Sequence, residues 1–216
     1  MSNRAHRFAT AALATAALAA SAVVAAPLAA QAAPADSAKG RTTSLAQVLA
    51  ADGHKFDKKW GDLDILDAAV MAVLDAKPDS PVGILAKKGA KLTAFLPTDR
   101  AFRQLAKDLT GSAPATEKKT FNALAEAAGI DVIETVLLYH VVPGATLNSG
   151  KVAKSDGVKL TTAQGGKVKV NVTKKFIALV DADPDLRNPR VIAVDVNKGN
   201  PQIGHVIDRV LLPLDV

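Results

Sequence analysis

The sequence predicts one α+β domain, with helices in its first two thirds and strands in its last third. Apolar residues recur at three- and four-residue spacing between Leu63 and Leu74, as they do on one face of a helix. From Gly157 onward the period becomes two, and in Lys167–Val172 polar residues alternate strictly with valines. The chain contains no cysteine, so an apolar core rather than disulfides must stabilise the domain.

The N-terminus has the features of a secretory signal peptide. Arg4 and Arg7 precede a run rich in Ala, Leu and Val, and Ala30-Gln31-Ala32 is typical of a cleavage site. We therefore predict a signal peptide over residues 1–32, a flexible tail over residues 33–43 and the domain over residues 44–216. The protein is then secreted, with no membrane span after cleavage. A retained membrane anchor is the alternative, because the run approaches the length that spans a bilayer.

Most of the predicted helices carry a capping signal. A side-chain oxygen at the N-cap accepts a hydrogen bond from a free backbone N–H group of the first turn. Pro78 ends the second helix, and Gly129 is the expected residue just beyond the end of a later one. The residues that begin or cap the helices are predicted, in chain order, to be Ser44, Asp62 or Asp64, Thr98 or Asp99, Thr116 and Asp131.

The strand signals lie next to glycine and proline. A first strand over residues 92–96 is stopped by Pro97, since proline cannot donate to a sheet. The turn Gln164-Gly165-Gly166 joins residues 158–163 to Lys167–Val172 as a hairpin. Further strands are predicted over residues 176–180, 190–196 and 205–212.

Composition argues against a nucleic acid partner. Removal of Arg4 and Arg7 reduces the 27 basic residues to 25, against 21 acidic ones, which leaves a net charge of +4. This charge is too small to indicate nucleic acid binding. One tryptophan and one tyrosine also supply no platform on which successive bases stack.

Enzyme and metal motifs are missing from the sequence. It contains no G-x-S-x-G, P-loop, H-E-x-x-H or G-x-G-x-x-G motif. Residues 181–185 (DADPD) resemble the start of a calcium loop, yet Leu186 and Ile192 stand where glycine and glutamate are required. His54, His140 and His205 are too scattered to predict a zinc site. We therefore predict a protein that is not an enzyme, without catalytic, cofactor-binding or metal-binding residues.

Three ordered segments carry a family resemblance. Residues 93–102 (TAFLPTDRAF), 137–144 (LLYHVVPG) and 204–213 (GHVIDRVLLP) resemble the first conserved box, the Tyr-His box and the second conserved box of the fasciclin-like domain family. The resemblance implies a wedge-shaped β-sandwich flanked by helices. It also implies a secreted module for adhesion or extracellular binding, with no known reaction.

The resemblance further implies a partner-binding site in two places. The first is Tyr139 and His140, and the second is Asp195 and Val196, which match an acidic and an aliphatic residue just before the last box. The expected partner is a protein or polysaccharide of the cell surface or extracellular matrix, bound by a monomer. The alternative for His140 is a buried ring that holds a turn carbonyl.

Two other functions remain open on the sequence alone. One is a polyanion-binding face on the lysine-rich hairpin, whose candidate residues are Lys159, Lys167, Lys169, Lys174 and Lys175. The plainer interpretation is a soluble face that protects a sheet edge from aggregation. The other function is a small-ligand carrier or hydrolase with a pocket near His140 and His205.

Overall fold

The computed structural model describes residues 42–214. The predicted signal peptide and most of the predicted tail lie outside the described residues. The helices are α1 (Leu45–Leu49), α2 (Asp64–Ala76), α3 (Asp99–Thr110), α4 (Glu117–Tyr139) and α5 (Ser149–Val152), with two short 3-10 helices at Ala50–Asp52 and Pro81–Ala86. Within the described part of the chain, no helix combines the length and apolar character needed to cross a membrane.

Within residues 42–214, seven strands form two sheets. They are β1 (Leu92–Pro97), β2 (Val141–Pro143), β3 (Lys159–Thr161), β4 (Lys167–Val172), β5 (Ile177–Val180), β6 (Val191–Val196) and β7 (Gln202–Ile207). The larger sheet has the order β2-β1-β7-β6 and the smaller one β3-β4-β5. The central pair β1 and β7 runs parallel, whereas the other neighbours run antiparallel. The predicted α+β class is confirmed.

The larger sheet buries apolar side chains on both of its faces. Along β1 the alternating side chains of Leu92, Ala94 and Leu96 join a core formed with the helices. Phe95, which points the other way, joins a second core with Val168 of the smaller sheet. The two sheets therefore pack face to face, and the helices cover the outer side of the larger one, as the resemblance implied.

The helix caps agree with the sequence at several positions and differ at α2. Ser44 and Thr98 accept from backbone N–H groups of α1 and α3 as predicted. The N-terminus of α2 has no cap from its own N-cap residue. Instead the fully buried carboxylate of Asp99 accepts from the backbone N–H groups of Asp64 at 3.3 Å and Ile65 at 2.8 Å. One helix start therefore caps another.

The long helix α4 begins at its predicted cap and is bent at Gly129. Thr116 accepts from the N–H of Lys119, as expected of the N-cap of α4. Gly129 has φ 73° and ψ 169°, so the long helix is kinked there and its second half starts anew near Asp131. The positive φ explains a glycine at this position.

The last strand begins and ends earlier than predicted, over Gln202–Ile207 rather than residues 205–212. β7 ends at Ile207, opposite Pro97 of β1, rather than continuing to Leu212. Proline has no N–H to donate, so the parallel pairing stops at this point. Asp208, just past the strand, accepts from the backbone of Arg190 at 2.7 Å and pairs with Arg187 at 2.9 Å. This aspartate is a brace between two loops.

Candidate functional site

The predicted Tyr-His site lies at the corner between α4 and β2. Tyr139 is only 1 % exposed and packs in the core between the two sheets. Its hydroxyl donates to the backbone oxygen of Lys167 at 2.9 Å, which ties the corner to the hairpin. Burial raises the pKa of the Tyr139 hydroxyl.

His140 is buried beside it and both of its ring nitrogens are engaged. Nδ1 lies 2.7 Å from the backbone oxygen of Val136, and Nε2 accepts from the N–H of Leu211 at 2.9 Å. Burial lowers the pKa of His140 to about 4, so the ring is neutral near pH 7. The burial of Tyr139 and His140 contradicts direct contact with a partner in this conformation. Their geometry matches the buried, carbonyl-holding alternative.

His205 has a similar structural role on β7. It is fully buried, and its Nε2 lies 2.7 Å from the backbone oxygen of Leu147. The backbone N–H of Asp195 points to Nδ1 at 3.4 Å, and burial lowers the pKa of the ring. Neither His140 nor His205 is placed to exchange protons with a ligand.

The other predicted pair, Asp195 and Val196, lies at the end of β6. The carboxylate of Asp195 accepts from the backbone N–H of Ser149 at 2.7 Å and from its hydroxyl at 2.8 Å, and it pairs with Lys198 at 3.2 Å. These bonds, led by the Ser149 backbone, lower the pKa of Asp195. Val196 is half-buried against the core. Both residues are therefore partly buried: the carboxylate of Asp195 is bonded to Ser149 and Lys198, and Val196 packs against the core.

The sequence did not single out the exposed apolar residues that precede this pair. Ile192 is 57 % exposed and Val194 47 % exposed, on the strand that forms one edge of the larger sheet. The pairing of β6 with β7 shifts register twice along this stretch. A continuous apolar run such as VIAV is typical of a strand buried on both faces, so the pattern gave no sign of the exposure.

The five predicted polyanion-binding lysines are all exposed. Lys159 and Lys169 are direct cross-strand partners on the outer face of the hairpin, with Lys167 opposite Thr161. Among the described residues none of the five forms an ion pair. This face therefore presents unneutralised positive charge. The like charges of Lys159 and Lys169, which lie opposite each other, also destabilise the sheet slightly.

An apolar groove of about 110 Å³ lies elsewhere, between α3, α4 and the C-terminal segment. Phe102, Leu124, Val132 and Leu214 are among its walls, and all of its lining residues are apolar. His140, His205, Asp195 and Asp208 do not line it. The predicted pocket near His140 and His205 is therefore not this groove. Because the lining of the groove is apolar, the groove itself offers no group for hydrolysis.

Comparison with known proteins places this geometry in a family. The family model of the Fasciclin domain matches residues 71–213, two thirds of the chain. The chain belongs to the fasciclin domain family, and the predicted family is confirmed. No curated protein matches the chain.

A solved structure that the chain resembles is a FAS1 domain pair from the insect cell adhesion molecule fasciclin I. The sequences are 20 % identical, and the TM-score is 0.47. The match covers 70 % of this chain and 48 % of that chain, so this chain corresponds to about half of the domain pair.

Proposed function

We propose that the protein is a secreted, non-enzymatic binding module for adhesion, which contacts a protein of the cell surface or extracellular matrix. Membership of the fasciclin domain family supports the adhesion class. The buried, hydrogen-bonded rings of His140 and His205 support a non-enzymatic role, since neither ring is available to a substrate. What remains for function is the surface of the domain.

The observation that carries the proposal is the exposed apolar edge of β6. An open sheet edge with large apolar side chains is an aggregation hazard that soluble proteins usually avoid. Ile192 and Val194 retain such side chains at this edge. Exposed apolar patches of this kind commonly mark sites of protein contact. We therefore assign the contact to Ile192 and Val194, next to the Asp195 and Val196 pair.

The edge is tested by a double substitution, Ile192→Lys with Val194→Lys. Binding of the purified protein to immobilised extracellular-matrix proteins and to cells is expected to weaken at least tenfold. Two charges at the centre of an apolar contact must lose water without gaining a partner. The matched control is Met71→Lys, which places a charge at an exposed apolar position of α2.

The control is expected to bind like the parent. Circular dichroism establishes that the variants remain folded. Equal binding by the parent and the doubly substituted β6 variant would exclude this edge as the contact.

A second candidate function is polyanion binding through the lysine face of the hairpin, favoured by the facing pair Lys159 and Lys169. Replacement of both by glutamine is expected to shift elution from a sulfated polysaccharide resin to lower salt, because fewer counterions are displaced on binding. Lys118→Gln with Lys119→Gln, on an exposed part of α4, is the matched control. Identical elution of both double variants would rule out a specific lysine face.

A further inference from the structure

Four carboxylates from separate parts of the chain converge near the starts of two helices. Asp57 and Asp62 belong to the loop before α2, and Asp64 and Glu117 are the first residues of α2 and α4. One oxygen from each of these four side chains lies within 4.8 Å of the others. We call these four residues the acidic cluster.

Glu117 is the member that ordinary packing does not explain. It is 1 % exposed, and neither of its carboxylate oxygens forms a hydrogen bond within the described residues. The Oδ1 atom of Asp62 is also buried and also forms no hydrogen bond within the described residues. Burial raises the pKa of Glu117, and the nearby backbone of Asp57 partly opposes the rise. A buried carboxylate without a partner is costly, so this side chain calls for a ligand that neutralises it.

The protein supplies little positive charge to the cluster. Lys59 pairs with Asp57 at 2.7 Å, but its side chain is 79 % exposed and bonds the cluster from the solvent side. The N-termini of α2 and α4 favour ionised carboxylates, although each helix dipole amounts to only about half a charge. Four carboxylates whose oxygens lie this close together, with a single lysine that reaches only Asp57, have the chemistry of a metal site.

We propose that the acidic cluster binds a calcium ion. Calcium takes oxygen ligands at about 2.3–2.6 Å, so two ligands on opposite sides of the ion lie about 4.6–5.2 Å apart. The observed limit of 4.8 Å between cluster oxygens fits that sphere. Magnesium requires ligands at about 2.0–2.1 Å and keeps most of its water, so the cluster would have to contract around it. The exposed side of Asp57 leaves room for water to complete the coordination.

A bound ion would join parts of the chain that are distant in sequence. It would fasten the loop before α2 to the start of α4, across the interval from Asp57 to Glu117. The same loop carries Trp60, whose ring faces the guanidinium of Arg103 at 4.7 Å. Calcium would therefore stabilise the helical layer of the domain.

The site is tested with terbium, which replaces calcium and emits when a nearby tryptophan is excited. Trp60 is the single tryptophan and lies two residues from Asp62, so their Cα atoms are at most about 7 Å apart. The full chain is expected to give tryptophan-sensitised terbium emission. Calcium should displace terbium, and the calcium dissociation constant obtained from the competition should be on the order of 10⁻⁴ to 10⁻³ M, as in extracellular calcium modules. Magnesium should be at least tenfold less effective.

Matched substitutions separate this site from general charge effects. Glu117→Gln and the exposed Asp57→Asn are each expected to weaken terbium and calcium binding at least tenfold. Glu126→Gln removes an exposed carboxylate of the same helix and should leave binding unchanged. Without calcium, Glu117→Gln should melt no lower than the parent, because it removes a buried unpaired charge. With calcium the parent should melt higher than the variant.

Three results would overturn the proposal. The first is a parent chain that gives no tryptophan-sensitised emission. The second is equal calcium displacement in the parent, Glu117→Gln and Asp57→Asn. The third is equal displacement by magnesium and calcium, which would remove the assignment to calcium.

Discussion

Replacement of Asp99 by alanine is expected to lower the free energy of unfolding by about 2–4 kcal/mol. The side chain is fully buried and is the acceptor for two backbone N–H groups at the start of α2. Its loss leaves both donors buried without a partner and removes the cap of that helix. Urea denaturation of the parent and the variant, in buffer with a calcium chelator, measures the difference.

Two comparisons test this explanation of Asp99. Burial, with the hydrogen bond to Asp62 as a second cause, raises the pKa of Asp99 to about 8, so asparagine resembles its protonated form. Asp99→Asn keeps an acceptor oxygen and should cost less than Asp99→Ala. Asp79→Ala, at an exposed position, should change stability by less than about 0.5 kcal/mol. A cost for Asp99→Ala as small as that of Asp79→Ala would contradict the capping role.

Acidification is expected to remove about 3 kcal/mol of stability through His140 alone. The pKa of this ring is about 4 in the folded protein, below its ordinary value of 6.5. Because the folded pKa is lowered, the stabilising contribution is fully present above pH 6.5 and is lost as the pH falls to 4. Protonation would place a charge in the core and end the acceptance from Leu211.

The measurement compares unfolding free energies of the parent and His140→Gln between pH 7 and pH 4. The other titratable groups behave alike in both proteins. The unfolding free energy of the parent minus that of His140→Gln should therefore fall by about 3 kcal/mol from pH 7 to pH 4. Tyr139→Phe, which loses the bond to Lys167, is the control. It should cost about 1 kcal/mol at every pH in this range. A parent-minus-His140→Gln difference that stays constant from pH 7 to 4 would contradict the buried neutral ring.

Sequence patterns predicted the elements whose causes are local. The hairpin around Gln164, the caps at Ser44, Thr98 and Thr116, and the break at Gly129 follow from residues within a few positions of each feature. The cap of α2 could not be predicted in this way. Its acceptor, Asp99, lies 34 positions beyond Ile65 and meets it only after the domain has packed.

The candidate sites were harder to predict for the same reason. The Tyr-His segment could be found by resemblance, but the burial of Tyr139 depends on the smaller sheet that covers it. The exposure of Ile192 depends on β6 being an edge strand, which its apolar run does not indicate. The acidic cluster escaped motif analysis because α2, a 3-10 helix, β1 and α3 lie between Asp57 and Glu117 in the sequence.

The parallel pairing of β1 with β7 has a consequence for how the polypeptide reaches this state. The two residues of every pair in this ladder are 110 positions apart in the sequence, as Leu92 and Gln202 are. Contacts of such long range are slow to form, because a large loop must close before any bond is gained. A growing chain therefore holds β1 without its main neighbour until nearly all of the domain has been synthesised. Assembly of the larger sheet is therefore expected late in folding, once β7 is available to pair with β1.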